Sequence, residues 1–523
     1  MDVGSAVYAS NPQEDPSRMN AAQLAIDSLA RFGVYDAVRF EGRTRTNEEQ
    51  ELVARKLAAV LQARGVGPGD RVVVMMPNCP EIFCAFQAVW KIGAVILPVM
   101  PQLGEREVGY LLEDSGARVA LVAPLLAPVV DAARSGAPSC ETLLSLGPTE
   151  VAGATDIAGE IAAAEPVDSL VDRAGDDLAL LLYASGTTGR PKGVTLTHDN
   201  ILWSSQQVGG MAEMPEGMPI LHVMPMAHSF GVLMMCVGFV KGFRATVMVR
   251  WDTRQVFENI ERHRIERMGM VPTMLTYLLD FPERERFDIG SLNWVWSGGA
   301  ALANEVRVDF EREFGCTVRD GYGLTESTAV ATAYSDSDGY RAGSCGRAVD
   351  GVEVAVMDDD HNRMPAGSPG EVCIRGRNVM KGYWGKPEAT AEVVRDGWLH
   401  SGDIGVMDAD GFLRITDRKK DLIIKGGENI SPREIEEALY EHPAISEVAV
   451  VAVPHKTWGD DIWAAVVFKP GTDASEEELR AHTAGFVTRF KIPSRFVVQP
   501  ELPKNAVGKI MKREVRASLL TGP

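Results

Sequence analysis

Strands that are apolar on both faces, alternating with helices, decide which architectures are open to this chain. RVVVMMP (71–77) is an unbroken apolar run of strand length, Pro80 opens a helix behind it, and AVILPV (94–99) is a second such run. Strands of this kind sit in sheets covered on both sides, and a strand–helix–strand succession makes neighbouring strands parallel. The pattern recurs at ARVALVA (117–123), LALLLYA (178–184) and ERMGMVP (266–272), so roughly the first 400 residues are expected to form a large, multi-layer α/β body. Thr46 with Glu49 reads as a capping box ahead of Val53, Leu57, Val60, Leu61 and Ala63, which predicts a helix over about 47–64.

From about residue 352 the texture changes to short strands and Gly-bearing turns (VEVAVMD, GEVCIRG, GWLHSGDIG, GFLRITD), the signature of a β-rich subdomain. DRKKD (417–421) then precedes ISPREIEEALYEHP, where Ser431 and Glu434 form a capping box with Pro432 at the first helical position. Two strands (EVAVVAVP, AAVVFKP), a helix start at EEELRAHT and a basic, partly helical tail complete a small α+β unit. The expected division is a body at 1–416, a hinge at 417–420 and a C-terminal domain at 421–523.

Charge narrows the partners. The 53 Lys and Arg against 72 Asp and Glu give a net charge of −19, a field that repels nucleic acid and anionic lipid. A site for a phosphorylated ligand therefore has to be made from local backbone N–H groups and selected cations. The seven cysteines are odd in number and form no CxxC pair, which disfavours a disulfide framework or a Cys-rich zinc site and points to a reducing cytoplasm. The N-terminus MDVGSAVYASNPQEDP lacks an apolar core, and the longest apolar run, 231–240, is half a membrane span, so neither secretion nor membrane spanning is expected.

The strongest chemical signal is Tyr183-Ala-Ser-Gly-Thr-Thr-Gly-Arg-Pro-Lys-Gly-Val194. Gly186, Gly189 and Gly193 let the backbone approach an anion, Ser185, Thr187 and Thr188 supply hydroxyl donors, and Lys192 supplies charge. It is not a Walker A loop, because Pro191 precedes Lys192 and Gly193 follows it. In Gly321-Tyr-Gly-Leu-Thr-Glu326, Tyr322 either stacks on a purine or belongs to the core, and Glu326 either ends a turn or holds Mg²⁺ against phosphates. Asp403 in Ser401-Gly-Asp403 is either a turn residue or an acceptor for ribose hydroxyls, 417–421 either a solvated linker or a functional segment, Lys509 either a surface lysine or a catalytic one, and His228 either a satisfied buried group or a base. No HExxH, GxSxG or EF-hand pattern occurs, and no His/Cys cluster has metal-ligand spacing.

Taken in order, YASGTTGRPKGV, VWSGGAAL (295–302), DGYGLTES (320–327), WLHSGDIG (398–405), DRKKDLIIKGGENISP (417–432) and PKNAVGKIMKRE (503–514) resemble the motifs of the adenylate-forming superfamily, and more narrowly of its acyl-CoA synthetases, from about residue 45 to the C-terminus. The resemblance implies ATP, Mg²⁺ and coenzyme A as cofactor and substrates, and a C-terminal domain that moves. Ser185, Gly186, Thr187, Thr188, Gly189 and Lys192 would cradle the β- and γ-phosphates; Gly299, Ala300, Ala301 and Tyr322 would hold adenine, with Asp320 a further ATP contact; Thr325 would touch the α-phosphate, Glu326 the Mg²⁺, and Asp403 and Arg418 the ribose. Lys509 would act in adenylation, Lys420 as the hinge, and Gly426 and Gly427 as the pantetheine tunnel. The acyl pocket would draw on His228, Val271, Thr273, Gly298, Gly323, Leu324 and Ala329, with no Arg or Lys for a second carboxylate, so an apolar monocarboxylic acid is the expected substrate. Ala184 stands where the family more often has Ser or Thr, and Ser401 where Thr is commoner.

The expected reaction is activation of the acid to an acyl adenylate with release of pyrophosphate, then transfer to coenzyme A. Two alternatives compete: an acyl-AMP ligase serving an acyl carrier protein, and a non-catalytic nucleotide-binding relative. The stretch between GRNVMKGYW and WLHSGDIG is short, without the insertion of acyl-AMP ligases, and Lys509, Glu326 and Asp403 are all present, which disfavours both. A monomer or homodimer working on small molecules is the corresponding assembly.

Overall fold

The structure, a computed structural model, describes residues 19–184, 190–211, 214–335, 338–505 and 508–521. Among the described residues two large sheets carry the body. In the first, six parallel strands run in the order Leu178–Ala184, Val95–Val99, Arg71–Met75, Val119–Val122, Thr142–Ser145, Ala154–Asp156. Lys192–Thr197 and then Gly382–Tyr383 add antiparallel strands beside Leu178–Ala184, so the glycine-rich segment joins two arms of a hairpin. The second sheet has parallel strands in the order Thr317–Asp320, Trp294–Ser297, Arg267–Met270, Pro219–His222, Arg244–Val247, Asp36–Phe40, with Arg43–Thr46 antiparallel at its edge.

Two helices fill the space between these sheets. Pro80–Lys91 buries every residue but Glu81, and Ser229–Lys241 is apolar from Phe230 to Val240 and buries Gly231 to Val237, as a largely covered helix must. Their side chains share one core with Val72, Ile96 and Leu180 of the first sheet and Ile220 and Ala245 of the second, while separate cores cover the outer faces. Lys91, a charge carried deep into this layer, is paired with Glu51 at 2.6 Å.

The antiparallel β subdomain pairs Val352–Met357, Pro369–Gly376, Trp398–Met407 and Leu413–Arg418. Pairing with the body continues through Arg418, and the next strand, Ile423–Lys425, belongs to a different sheet, so the chain crosses between units at 419–422. In the small unit the strands Ile445–His455 and Gly459–Phe468 form a long hairpin, with helices Pro432–Tyr440 and Glu476–Ala484 on one face and Lys512–Thr521 on the other.

The Thr46–Glu49 capping box is reciprocal and its helix runs Asn47–Gln62. At Ser431 only half of the expected box forms: the hydroxyl accepts from the Glu434 N–H at 3.3 Å and donates to Asp417 at 2.7 Å, while the Glu434 carboxylate takes Lys491 instead. An ion pair outcompetes the return hydrogen bond.

Candidate active site

Parallel strands present their carboxyl ends to one side, where loops can converge on a ligand. Here a cleft of about 1650 Å³ opens beyond the ends of Val95–Val99, Leu178–Ala184, Pro219–His222, Arg267–Met270 and Trp294–Ser297, and the β subdomain and small unit close its other walls. It brings together Lys192, His228, Val271, Gly299, Gly323, Leu324, Thr325, Glu326, Asp403, Arg418, Lys420 and Lys509. Thr273, Gly298, Ala300, Ala301, Asp320, Tyr322 and Ala329 do not form its wall, and Gly426 and Gly427 stand outside it on an exposed hairpin turn. Ser185, Gly186, Thr187, Thr188 and Gly189 lie outside the described residues.

Register sets the polar centre of the cleft. Asp403 and Arg418 are direct partners across two antiparallel strands, and the Arg418 Nε lies 2.9 Å from Asp403 Oδ1. The other Asp403 oxygen accepts the Tyr322 hydroxyl at 2.7 Å, which places that ring beneath the carboxylate although the residues are far apart in sequence. Ser401 steadies the turn, accepting the Asp403 N–H and donating to the Val372 carbonyl.

Lys509 enters from the small unit on a turn at Gly508, whose φ of +83° suits glycine. Asn505 caps this turn by accepting the Lys509 N–H at 2.9 Å. Burial, then the neighbouring Arg418, pull the Lys509 amine down to about 8; Lys420 acts in the same direction, against Asp403 and Asp421. His228 is lowered to about 4 by burial, then by the charge of Lys509, so it is neutral at pH 7. Its Nδ1 accepts the Phe230 N–H at 3.3 Å at the start of helix Ser229–Lys241, which leaves the hydrogen on Nε2.

On the opposite wall the Tyr383 hydroxyl donates to Glu326 Oε1 at 2.8 Å, and the Lys192 ammonium lies 4.9 Å from the centre of the same ring. Thr325 and Ser229 hydroxyls are 3.4 Å apart. Behind Gly323 the chain doubles back through Thr328 and Ala329, both at positive φ, and a Cβ at Gly323 would come within 2.3 Å of the Ala329 carbonyl. Ala329 thus shapes the Gly323–Leu324 wall from behind, and residue 323 must be glycine. The stem of the glycine-rich segment is fixed by Asp114, which accepts Tyr183 at 2.7 Å and pairs with Lys386 at 2.6 Å. Asp320, at the end of its strand, is pushed up to about 7 by burial.

Reading the sequence alone missed Tyr383, Ser229, Asn505 and Trp458. Tyr383 follows Gly382 in an unremarkable strand, and only pairing of that strand with Lys192–Thr197 carries it to Glu326. Trp458 flanks the Gly426 turn, where a Cβ would meet its ring at 3.3 Å and Phe490 at 3.5 Å. Among the described residues no group of three or more His, Cys, Asp or Glu could hold a metal ion by itself.

The model of the AMP-binding enzyme family matches residues 27–384, and that of the AMP-binding enzyme C-terminal domain matches residues 434–509. A long-chain-fatty-acid–CoA ligase of Bacillus subtilis is 35% identical over 534 aligned positions, covering 96% of this chain and 95% of its own. A feruloyl-CoA synthase of an Amycolatopsis species is 36% identical, covering 92% of this chain and 95% of its own. Among solved structures, an anthranilate CoA ligase in complex with anthranoyl-AMP superposes with a TM-score of 0.91 at 26% identity, covering 96% of this chain and 98% of its own.

Proposed function

The chain belongs to the family of AMP-binding enzymes, and from that premise we propose how its cleft turns a carboxylic acid into an acyl-CoA. The overall reaction is ATP-dependent formation of an acyl adenylate followed by transfer of the acyl group to coenzyme A. A carboxylate is a poor acyl donor, because its oxygen leaves badly and its charge repels nucleophiles. Attack of a carboxylate oxygen on the α-phosphorus of ATP expels pyrophosphate and gives a mixed anhydride; attack of the thiol on its carbonyl then expels AMP. No protein nucleophile is required.

Within this scheme Asp403 accepts the ribose hydroxyls, Arg418 holds that carboxylate in place, and Tyr322 supports it from below. Lys509 neutralises charge that builds on the α-phosphoryl and acyl oxygens. His228, neutral, offers its Nε2–H as a hydrogen-bond donor rather than serving as a base. Thr325 faces the α-phosphate and Lys192 the terminal phosphates. Mg²⁺ would be held by Glu326, a single carboxylate being a donor set that suits this ion, and it would screen the phosphate charge. Gly299 borders the adenine, while Ala300 and Ala301 follow it outside the cleft wall.

The acyl end is walled by Met224, Ala227, Phe230, Val271 and Leu324, and the Phe230 ring lies against the bare backbone of Gly269. That wall carries no second cation, which supports an acid with one carboxylate and an apolar remainder, as in the fatty and aryl acids named for the relatives. All seven cysteines are thiols, and among the described residues no helix is long and apolar enough to cross a membrane.

The observation that carries this reading is the convergence of Lys509 from one unit with Arg418, Asp403 and His228 from the other in one cleft. The test is a panel of acids assayed for acid-dependent pyrophosphate release, with and without coenzyme A. Apolar monoacids should release pyrophosphate and, with coenzyme A present, yield thioester and AMP. A best substrate that is a short dicarboxylate, or no release with any acid, would refute it.

A further inference from the structure

Among the described residues, helix Pro272–Leu279 and its C-cap Asp280 meet the small unit through three side-chain contacts, and these follow one helical face. Thr273 donates its hydroxyl to the Gly508 carbonyl at 3.0 Å; the Lys504 ammonium lies 5.8 Å from the centre of the Tyr277 ring; and Asp280, at the helix C-terminus, accepts the Ser446 hydroxyl at 2.9 Å. Positions 273, 277 and 280 are spaced i, i+4, i+7, which puts them in a line along one side of a helix.

We propose that this helix is a docking rail that selects the pose in which Lys509 faces the cleft, and that Thr273 is a positioning residue for Lys509. The inference rests on the two-step reaction proposed above. Gly508 is the residue before Lys509, so a bond to its carbonyl fixes the plane of the peptide from which Lys509 projects. The fit there is close, since a Cβ on Gly508 would stand 3.3 Å from Val271 Cγ2. Every one of the three contacts joins a body atom to a small-unit atom. A rotation about 419–422 that carries the exposed Gly426–Gly427 turn toward the cleft must break all of them, so the rail weighs on one side of the equilibrium between poses and not on the other. Thr273 is thereby removed from the acyl pocket and given to the domain interface.

The experiment separates the half-reactions in the full-length protein. Adenylation is read as acid-dependent exchange between pyrophosphate and ATP, and thioester formation as conversion of supplied acyl adenylate with coenzyme A. Thr273→Val keeps the shape and removes the donor; Ser446→Ala cuts the rail at its other end, in the small unit and away from the cleft. Each should lower the adenylation kcat about 3- to 10-fold, as expected for one lost hydrogen bond at the rim of an interface, with the KM for the acid unchanged. Thioester formation should run at least as fast as in the parent, and Thr273→Ser should restore adenylation. Equal losses in both half-reactions, or no change in either variant, would overturn the rail while leaving the functional reading intact. A parent protein that exchanges no pyrophosphate with any acid would overturn that reading, and the rail with it.

Discussion

The pH dependence of adenylation should expose the state of Lys509. In the structure its amine falls from the usual 10.5 to about 8, chiefly through burial, with Arg418 and Lys420 adding repulsion and Asp403 and Asp421 opposing it. Charging this amine therefore costs about 3 kcal/mol more here than in water. In the proposed role of Lys509 the ammonium form is the one that stabilises phosphoryl charge, and it is present below pH 8 and lost above it. In the free enzyme, kcat/KM for ATP in the pyrophosphate-exchange assay should accordingly fall about tenfold per pH unit above 8. Bound ATP places anionic phosphates against the amine and favours its charged form, so the descending limb of kcat should lie at higher pH than that of kcat/KM. His228, lowered to about 4, should contribute no ascending limb between pH 5 and 8. Lys509→Ala should lose on the order of 100-fold in adenylation at pH 7 and show no limb near 8, while still converting supplied acyl adenylate to thioester. A parent profile flat to pH 10, or an unchanged limb in Lys509→Ala, would refute the assignment.

Three further outcomes follow from the same geometry. Gly427→Leu should leave adenylation nearly intact, because a Cβ at 427 meets nothing within 4 Å in this pose, yet abolish thioester formation if Gly427 lines the thiol's path as proposed; its φ of +88° also costs the hairpin about 1 kcal/mol, read as a small fall in Tm. Glu326→Gln should raise the Mg²⁺ concentration needed for half-maximal turnover without lowering Tm, since Gln can still accept the Tyr383 hydroxyl; unchanged turnover at limiting Mg²⁺ would count against the metal role. Asp403→Asn should raise the KM for ATP at least tenfold, because it weakens both the ribose acceptor and the pair with Arg418, and titration with a fluorescent ATP analogue would detect a failure of this expectation.

What the sequence determined by itself was local. Apolar runs such as 71–77 and 178–184 could only be covered strands, Thr46 and Glu49 could cap the helix behind them, and the motif order from Tyr183 to Lys509 identified the chemistry, because each of these signals lies within a few consecutive residues. Tertiary structure decided how distant pieces meet. The Lys192–Thr197 strand turns back antiparallel and carries Tyr383 to Glu326, and pairing of Asp403 with Arg418 across a ladder, not their spacing, builds the ion pair at the centre of the cleft. Glu434 was free in sequence to complete a capping box and instead meets Lys491, a choice that depends on a residue 57 positions away. Thr273 likewise looked like pocket lining until the small unit brought the Gly508 carbonyl to its hydroxyl. The burial that lowers Lys509 and His228 belongs to neither sequence neighbourhood: it arises because two units close over one cleft, and desolvation is a property of what surrounds a group in space.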